Sequence, residues 1–153
     1  MTQYIYMMVG AAGAGKSTYI KNHFPDAFDV SRDVARFDTM AKHNTDDYFA
    51  HEKAAFNTYI NRINSAIKCG WETVILDATH LTPKSRKKVL CRINIPKDAK
   101  LYAVVVRPTL EKHIKQNAQR TGKAFVPVDA IVKQYNSYIE PTCEEGFDNV
   151  IIL

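Results

Sequence analysis

The residues best suited to chemistry stand near the N-terminus, where Gly10, Gly13 and Gly15 precede Lys16 and Ser17. The spacing G-x-x-x-x-G-K-S lets the backbone curl with its N–H groups pointing inward, toward an anion. We therefore predict a phosphate-binding loop, or P-loop, formed by nine consecutive residues: Gly10, Ala11, Ala12, Gly13, Ala14, Gly15, Lys16, Ser17 and Thr18. In such a loop the lysine reaches the β- and γ-phosphates of a nucleotide, and the serine hydroxyl binds Mg²⁺.

A P-loop indicates that a nucleotide binds but leaves the reaction open, so the second half of a site must come from elsewhere. Asp33 follows a short segment with strand character, and a carboxylate there could accept the proton of an attacking hydroxyl. Arg36 could lie on the same face and hold an acidic acceptor. The alternative for Ser31 to Asp33 is a loop with a helix-capping aspartate.

A basic segment near the C-terminus, Arg120 to Pro127, contains Arg120 and Lys123 on either side of Gly122. Transfer of a phosphoryl group requires positive charge around that group and exclusion of water, usually by a mobile lid. We predict that this segment is the lid. The alternative is a surface loop with ordinary basic residues.

The elements that must position these residues are predicted from apolar runs that alternate with helical patterns. Predicted strands cover residues 4–9, 27–30, 73–76, 101–106 and 148–153. The longest predicted helix begins at Thr45 and ends at Gly70, with an apolar stripe formed by Phe49, Phe56, Ile60, Ile63 and Ile67. This alternation predicts one α/β domain over residues 1–153, with about five parallel strands and helices on both faces.

A further helix is predicted to begin at Thr82 and Pro83, with a basic exposed side. That side consists of Lys84, Arg86, Lys87, Lys88 and Arg92. It is either a solvated helix face or a contact to a phosphate backbone. The net charge of +5 is compatible with a polyanionic partner.

The composition narrows the class of protein. With 153 residues and 46% hydrophobic residues, the chain is long enough to bury a core. No apolar run is long enough to span a bilayer, and the N-terminus lacks the basic start and long apolar segment of a signal peptide, so we expect a cytoplasmic protein. The three cysteines lack metal or disulfide spacing, and His43 and His51 lack ligands at a familiar spacing.

Four ordered blocks of the sequence resemble the 5′-polynucleotide kinases of the bacteriophage end-healing type. The first block is the P-loop, and the second runs from Ser31 to Arg36. The third is Asp77-Ala78-Thr79-His80-Leu81-Thr82-Pro83 with trailing basic residues. The fourth is Asn117-x-x-Arg120-x-Gly122-Lys123-x-x-Val126-Pro127. Together these blocks cover most of the chain.

The resemblance implies that the γ-phosphate of ATP is transferred, with Mg²⁺, to the 5′-hydroxyl of DNA or RNA in the repair of nucleic-acid ends. It makes Asp33 the general base and places Arg36 on the 3′-phosphate side of the acceptor nucleotide. Thr79 would sit near the acceptor, and Arg120 would be the lid arginine. Arg32 and His80, in the same blocks, are expected on the acceptor side as well. The resemblance also implies that the P-loop strand lies in the middle of the sheet.

The chain departs from this family at Gln116, where an arginine is common, and at His80, where asparagine is common. It lacks an Asp-x-Asp-Gly-Thr signature, so we expect no 3′-phosphatase activity. A stand-alone kinase and one domain of a longer protein both stay open. Three other functions stay open: a kinase of a small metabolite or nucleoside, a toxin-like kinase, and a nucleotide-binding module without catalysis. No membrane association and no obligate protein partner are expected. A preference for RNA or DNA does not follow from the sequence.

Overall fold

The computed structural model describes residues 1–122 and 125–153, in which apolar runs form strands and amphipathic segments form helices. The strands are β1 (Tyr4–Val9), β2 (Phe28–Ser31), β3 (Thr73–Asp77), β4 (Lys100–Val105) and β5 (Asn149–Ile152). The helices are α1 (Lys16–His23), α2 (Arg32–Lys42), α3 (Glu52–Lys68), α4 (Pro83–Leu90), α5 (Leu110–Ala118) and α6 (Val128–Ser137). A short 3-10 helix, Cys143–Glu145, precedes β5.

The five strands form one parallel sheet in the order β2-β3-β1-β4-β5. Tyr6 of β1 pairs in register with Ile75 of β3 and with Tyr102 of β4. The predicted parallel sheet and the central P-loop strand are therefore confirmed. Because all strands are parallel, the loops after β1, β2, β3 and β4 meet at one edge of the sheet, where ligands bind in open α/β folds.

Both faces of the sheet are covered, which explains why its central strands read as continuous apolar runs. Ile5 and Met7 of β1 point to one face and pack in a cluster with Phe56 of α3. Met8, which alternates with them, points to the other face and packs with Ile20 of α1. The stripe predicted for the long helix is buried in part, at Phe56, Ile60, Ile63 and Ile67.

The long helix begins later than predicted, because residues 45–51 form turns. The Thr45 hydroxyl accepts a hydrogen bond from the Asp47 amide, and the Asp47 carboxylate accepts one from the Phe49 amide. Such local side-chain bonds compete with helical ones. The prediction that Thr45 begins the helix was wrong, and Phe49 is 73% exposed instead of joining the apolar stripe.

The predicted basic face of α4 is correct only in part. Lys84, Lys87, Lys88 and Arg92 are exposed. Arg86 was wrongly predicted there, because its side chain is fully buried and donates to Glu145 and to the His80 carbonyl. It lies one helical turn from the buried Val89, and its partner stands 59 residues later in the chain, beyond the reach of a local pattern.

No helix within residues 1–122 and 125–153 is both long enough and apolar enough to cross a membrane. Cys69, Cys91 and Cys143 are free and exposed.

Candidate active site

A cleft of about 1180 Å³ opens at the carboxyl edge of the sheet. Its walls come from the P-loop, the start of α2, the turns before α3, the end of β3, and the segments that flank the predicted lid. Most of the predicted site residues line it, namely Ala12, Gly13, Ala14, Gly15, Lys16, Ser17, Thr18, Arg32, Asp33, Arg36, Thr79 and Arg120. The fold therefore brings the donor and acceptor residues predicted from the sequence into one cavity.

The P-loop glycines are required by the backbone. A Cβ at Gly10 would lie 2.4 Å from the Val106 carbonyl oxygen, so a side chain at this position would collide with the strand end beside it. Gly15 has a φ of +100° and begins α1 without a side-chain cap. The first N–H groups of α1 are therefore left without capping partners and can bind phosphate oxygens.

Lys16 turns back onto the P-loop, where its Nζ donates to the carbonyl oxygens of Gly10 (2.6 Å) and Ala11 (3.1 Å). Burial lowers the pKa of Lys16 to about 8, although the carboxylates of Asp77 and Asp33 partly oppose this shift. The arrangement leaves a cation at the base of the cleft that an anionic ligand would stabilise.

Asp77, at the end of β3, lines the same cleft and was not among the residues predicted for the site. Burial raises its pKa, and the neighbouring Lys16 charge opposes this shift. A carboxylate one strand away from a P-loop serine is the usual second protein ligand of Mg²⁺ in P-loop proteins. Ser17 and Asp77 therefore supply hard oxygen donors that fit Mg²⁺, with the remaining ligands left to nucleotide and water. Among the described residues, no group of three or more His, Cys, Asp or Glu side chains could hold a metal alone.

The acceptor side of the cleft is organised around a hydrogen-bonded group at the start of α2. Ser31 caps this helix by accepting a bond from the Val34 amide, which leaves the Asp33 carboxylate free of a capping role. The Asp33 side chain is 53% exposed, and one of its oxygens accepts from Arg36 and from the Tyr48 hydroxyl, both at 3.4 Å. Burial and the nearby Asp33 charge raise the pKa of Tyr48, so its hydroxyl stays protonated and able to donate.

Arg36 is engaged by protein groups through all of its guanidinium nitrogens. Its Nε and Nη2 donate to the two oxygens of Glu52, and its Nη1 donates to Tyr48 at 2.6 Å as well as to Asp33. Burial raises the pKa of Glu52, but the hydrogen bonds and charges of Arg36 and Arg32 outweigh it and hold this pKa below its usual value. Arg36 therefore positions Asp33 in this state, and its predicted contact with an acceptor phosphate stays a prediction.

Arg32 and Thr79 both line the cleft, whereas His80 lies behind it. Arg32 donates from Nη2 to Glu52 at 3.0 Å, while its buried Nε has no hydrogen-bond partner among the described residues. The Thr79 carbonyl accepts from the Gly10 amide at 2.9 Å, which fixes the third sequence block against the P-loop.

His80 was predicted on the acceptor side, but the structure places it in the core, 3% exposed. Burial lowers its pKa to about 3, so the ring is neutral. Its Nδ1 lies 2.7 Å from the Met8 carbonyl and must carry the proton, while Nε2 accepts from Tyr59. His80 has a φ of +45°, a region in which asparagine and histidine are both enriched. A positive φ is therefore compatible with a histidine at this position.

The predicted lid is held at its base by Asn117, a buried residue of α5 that sequence reasoning did not assign to the site. Its side-chain amide donates to the Val126 carbonyl and accepts from the Val126 amide. The Arg120 amide donates to the Asn117 carbonyl, which places Arg120 at the same end of the cleft. Gln116 also lines the cleft. Lys123 lies outside the described residues, and motion of the lid stays a prediction.

Gln134 of α6 was also missed, because a lone glutamine in a helix carries no sequence signal of its own. Its side-chain oxygen accepts from the Ala12 amide at 2.9 Å, so α6 supports the P-loop from the side. Tyr48 was missed because it belongs to the turn that was wrongly predicted as part of the long helix. Glu52 was missed because it is the first residue of α3, where an acidic residue is usual. The signal available was a pair of polar and aromatic residues 15 and 19 positions after Asp33.

A five-stranded parallel sheet with a P-loop at the end of its central strand defines an α/β protein of the P-loop kinase-like class. Residues 5–142 match the family model described as an AAA domain. Because this match covers most of the sequence, the chain belongs to that AAA domain family.

Three solved structures illustrate the relationship. One, from the Pnkp1/Rnl/Hen1 RNA repair complex, has a TM-score of 0.69 and 21% identity over 89% of this chain, which spans 44% of that longer chain. A sugar kinase from Janibacter sp. HTCC2649 has a TM-score of 0.66 and 17% identity, with 100% of this chain and 85% of that chain covered. A fungal RNA kinase has a TM-score of 0.55 and 15% identity, with 100% and 75% covered. No curated protein sequence matches this chain. At these identities the similarities show that the chain shares its fold with those proteins.

Proposed function

We propose that this protein is an ATP-dependent 5′-hydroxyl polynucleotide kinase that acts in the repair of DNA or RNA ends. The observation that carries the proposal is the single cleft in which P-loop residues meet Asp33, Arg36, Thr79 and Arg120. The four sequence blocks that resemble end-healing kinases all contribute to it. Two structurally similar proteins are described as part of an RNA repair complex and as an RNA kinase.

In the proposed reaction, the oxygen of the acceptor's 5′-hydroxyl forms a bond to the γ-phosphorus of ATP. Asp33 accepts the proton that this hydroxyl loses. The bond between that phosphorus and the oxygen bridging to the β-phosphate breaks, and ADP leaves with the bonding electrons. The second oxygen of the half-exposed Asp33 carboxylate suits this role, since the first is held by Arg36 and Tyr48.

Lys16 and Arg120 supply positive charge around the transferred phosphoryl group. Lys16 exchanges its contacts with the Gly10 and Ala11 carbonyls for phosphate oxygens, while the P-loop amides hold the β-phosphate. Arg120 approaches from the lid side. Bound Mg²⁺, held through Ser17 and Asp77, would neutralise charge on the β- and γ-phosphate oxygens.

A kinase of a small metabolite is the second candidate, because the similar sugar kinase is covered over 85% of its length by this chain. Such an enzyme would have the same donor site but would bind its acceptor with little dependence on salt. A polymer binds through several phosphates, each of which adds to the salt dependence.

The deciding experiment mixes the protein with γ-labelled ATP, Mg²⁺ and separate acceptors. These are a 5′-hydroxyl oligonucleotide in DNA and RNA form, its 5′-phosphorylated twin, nucleosides and a panel of sugars. Label on the 5′-hydroxyl oligonucleotide and none on its phosphorylated twin is the expected result. Label on a sugar or nucleoside alone would instead support a kinase of a small metabolite.

A further inference from the structure

The turn segment 45–51 carries two aromatic rings into the acceptor half of the cleft, a half-buried one at Tyr48 and an exposed one at Phe49. Phe49 lines the cleft and is 73% exposed, which is unusual for a large apolar side chain in a cavity. Its ring packs edge-on against Tyr48, with centroids 4.9 Å apart, and Tyr48 in turn contacts Phe37 at 6.3 Å. Apolar rings presented to a cavity beside a few polar groups are typical of a binding site for an organic ligand.

The position of Phe49 relative to Asp33 indicates which kind of ligand could contact both residues at once. The hydroxyl end of Tyr48 lies 3.4 Å from Asp33, while the ring of the same residue contacts Phe49. One aromatic ring therefore separates the predicted base from the exposed ring. A nucleoside spans such a gap, because its sugar joins a hydroxyl at one end to a flat base at the other.

The turn also holds Phe49 in place before any ligand binds. The Phe49 amide donates to the Asp47 carboxylate at 3.0 Å, and Tyr48 is fixed by its bond from Arg36 at 2.6 Å. A ring on a fixed backbone loses little conformational freedom when a ligand stacks on it. Arg32 and Arg36 line the same half of the cleft, where their charges are balanced by Glu52 and Asp33, so the exposed ring is the main feature that this half offers to a ligand.

From this arrangement we infer that Phe49 is a stacking platform for the 5′-terminal nucleobase of the acceptor. The inference rests on the proposed function and names the part of the acceptor that gives specificity. Every base has a π-face, so the platform selects nucleic-acid ends over sugars without selecting a base.

The kinetic test compares Phe49→Leu, which keeps an apolar side chain, with Phe49→Trp, which keeps a ring. Acceptors are a 5′-hydroxyl oligonucleotide and the same strand with an abasic 5′-terminal position. We expect Phe49→Leu to raise the acceptor KM roughly 5- to 100-fold for the intact strand. The KM for ATP and the KM for the abasic strand should stay within twofold, and Phe49→Trp should behave as the wild type.

Phe28→Leu is the matched control, since Phe28 is also an exposed ring but does not line the cleft. An acceptor KM that Phe49→Leu leaves unchanged, or raises equally for both strands, would overturn the stacking role while leaving the kinase function standing.

A binding test without ATP decides the same point independently of catalysis. An oligonucleotide with 2-aminopurine at its 5′ end should lose fluorescence on the wild type and on Phe49→Trp, because stacking quenches this base. It should keep its fluorescence on Phe49→Leu. If the wild type quenches the fluorescence in this test but transfers no phosphoryl group in the kinase assay, the platform is supported and the kinase proposal is rejected. Equal fluorescence on all variants would reject the platform, whatever the kinase assay shows.

Discussion

Asp33 is the residue on which the proposed reaction depends most directly, because no other cleft carboxylate among the described residues combines half-exposure with support from both Arg36 and Tyr48. We expect Asp33→Asn to lower kcat by about 10²- to 10⁴-fold, the usual contribution of a general base. ATP affinity should stay within twofold, since the P-loop holds the donor. Single-turnover kinetics and nucleotide titration measure the two effects.

Asp38→Asn provides the matched control for this substitution. Asp38 lies on the same helix, its side chain is equally exposed, and it pairs with Arg62 outside the cleft. Its replacement should leave kcat unchanged. If Asp33→Asn retained the wild-type rate, Asp33 would have no part in the mechanism.

A second prediction concerns Lys16, because its pKa of about 8 implies that ATP binding is coupled to proton uptake. Phosphate contact favours the charged ammonium and raises this pKa in the complex. ATP affinity should therefore change little between about pH 7 and pH 8 and should fall as the pH rises further, by up to about tenfold per pH unit. The phosphates of ATP release their last proton near pH 6 to 7 and do not titrate in this range.

Calorimetry at pH 9 in two buffers with different ionisation enthalpies measures the proton taken up on ATP binding. The wild type should give heats that depend on the buffer. Lys16→Arg, whose guanidinium stays charged at this pH, should give equal heats in both. Buffer-independent heats for the wild type would contradict the assignment of a neutral fraction to Lys16.

At the scale of elements, the four exposed cations of α4 and its C-terminal end form a surface beside the cleft. Lys88 and Arg92 lie over the ring of Phe56, at 4.5 and 5.5 Å, and Arg32 of the cleft lies over the same ring at 5.2 Å. Like charges that converge on one ring repel each other, and a polyanion would relieve this repulsion. The surface thus runs from the acceptor side of the cleft onto α4.

If this surface binds the acceptor strand, the double variant Lys84→Ala with Lys87→Ala should weaken acceptor binding and lower its salt dependence. The slope of log K against log salt should shrink by about 0.7 for each phosphate of a single strand that the variant no longer neutralises. A control double variant, Lys68→Ala with Lys97→Ala, removes the same charge at the opposite edge of the sheet. Equal slopes for both double variants would make the basic face of α4 an ordinary solvated surface.

Some elements of this fold could be predicted from the sequence, and others could not. Strands such as Thr73–Asp77 were predictable, because a strand buried on both faces reads as a continuous apolar run. The P-loop was predictable because each glycine meets a backbone requirement. The start of α3 was not, since it depends on the turn bonds of Thr45 and Asp47, which compete with helical ones. Arg86 and His80 were misplaced because burial of a polar side chain depends on partners distant in sequence.

At the scale of the whole molecule, the ion pair of Arg86 with Glu145 joins α4 to the segment that precedes β5. Arg86 is fully buried and donates to both Glu145 oxygens, at 2.7 and 3.2 Å, and to the His80 carbonyl at 2.9 Å. Burial raises the pKa of Glu145, but bonds from Arg86 and the Thr142 amide hold it below its usual value. The pair therefore connects the C-terminal strand to the loop behind the cleft.

We expect Glu145→Gln to lower the free energy of unfolding by about 3–5 kcal/mol, because it leaves a buried guanidinium without its counter-charge. The apolar double variant Arg86→Met with Glu145→Leu should recover most of this stability, since it removes both charges together. Urea unfolding followed by circular dichroism measures all three proteins. The exposed pair of Lys115 with Glu111 on α5 is the control, and Glu111→Gln should cost less than about 1 kcal/mol. A Glu145→Gln protein as stable as the Glu111→Gln protein would show that the C-terminal segment is held to α4 by packing alone.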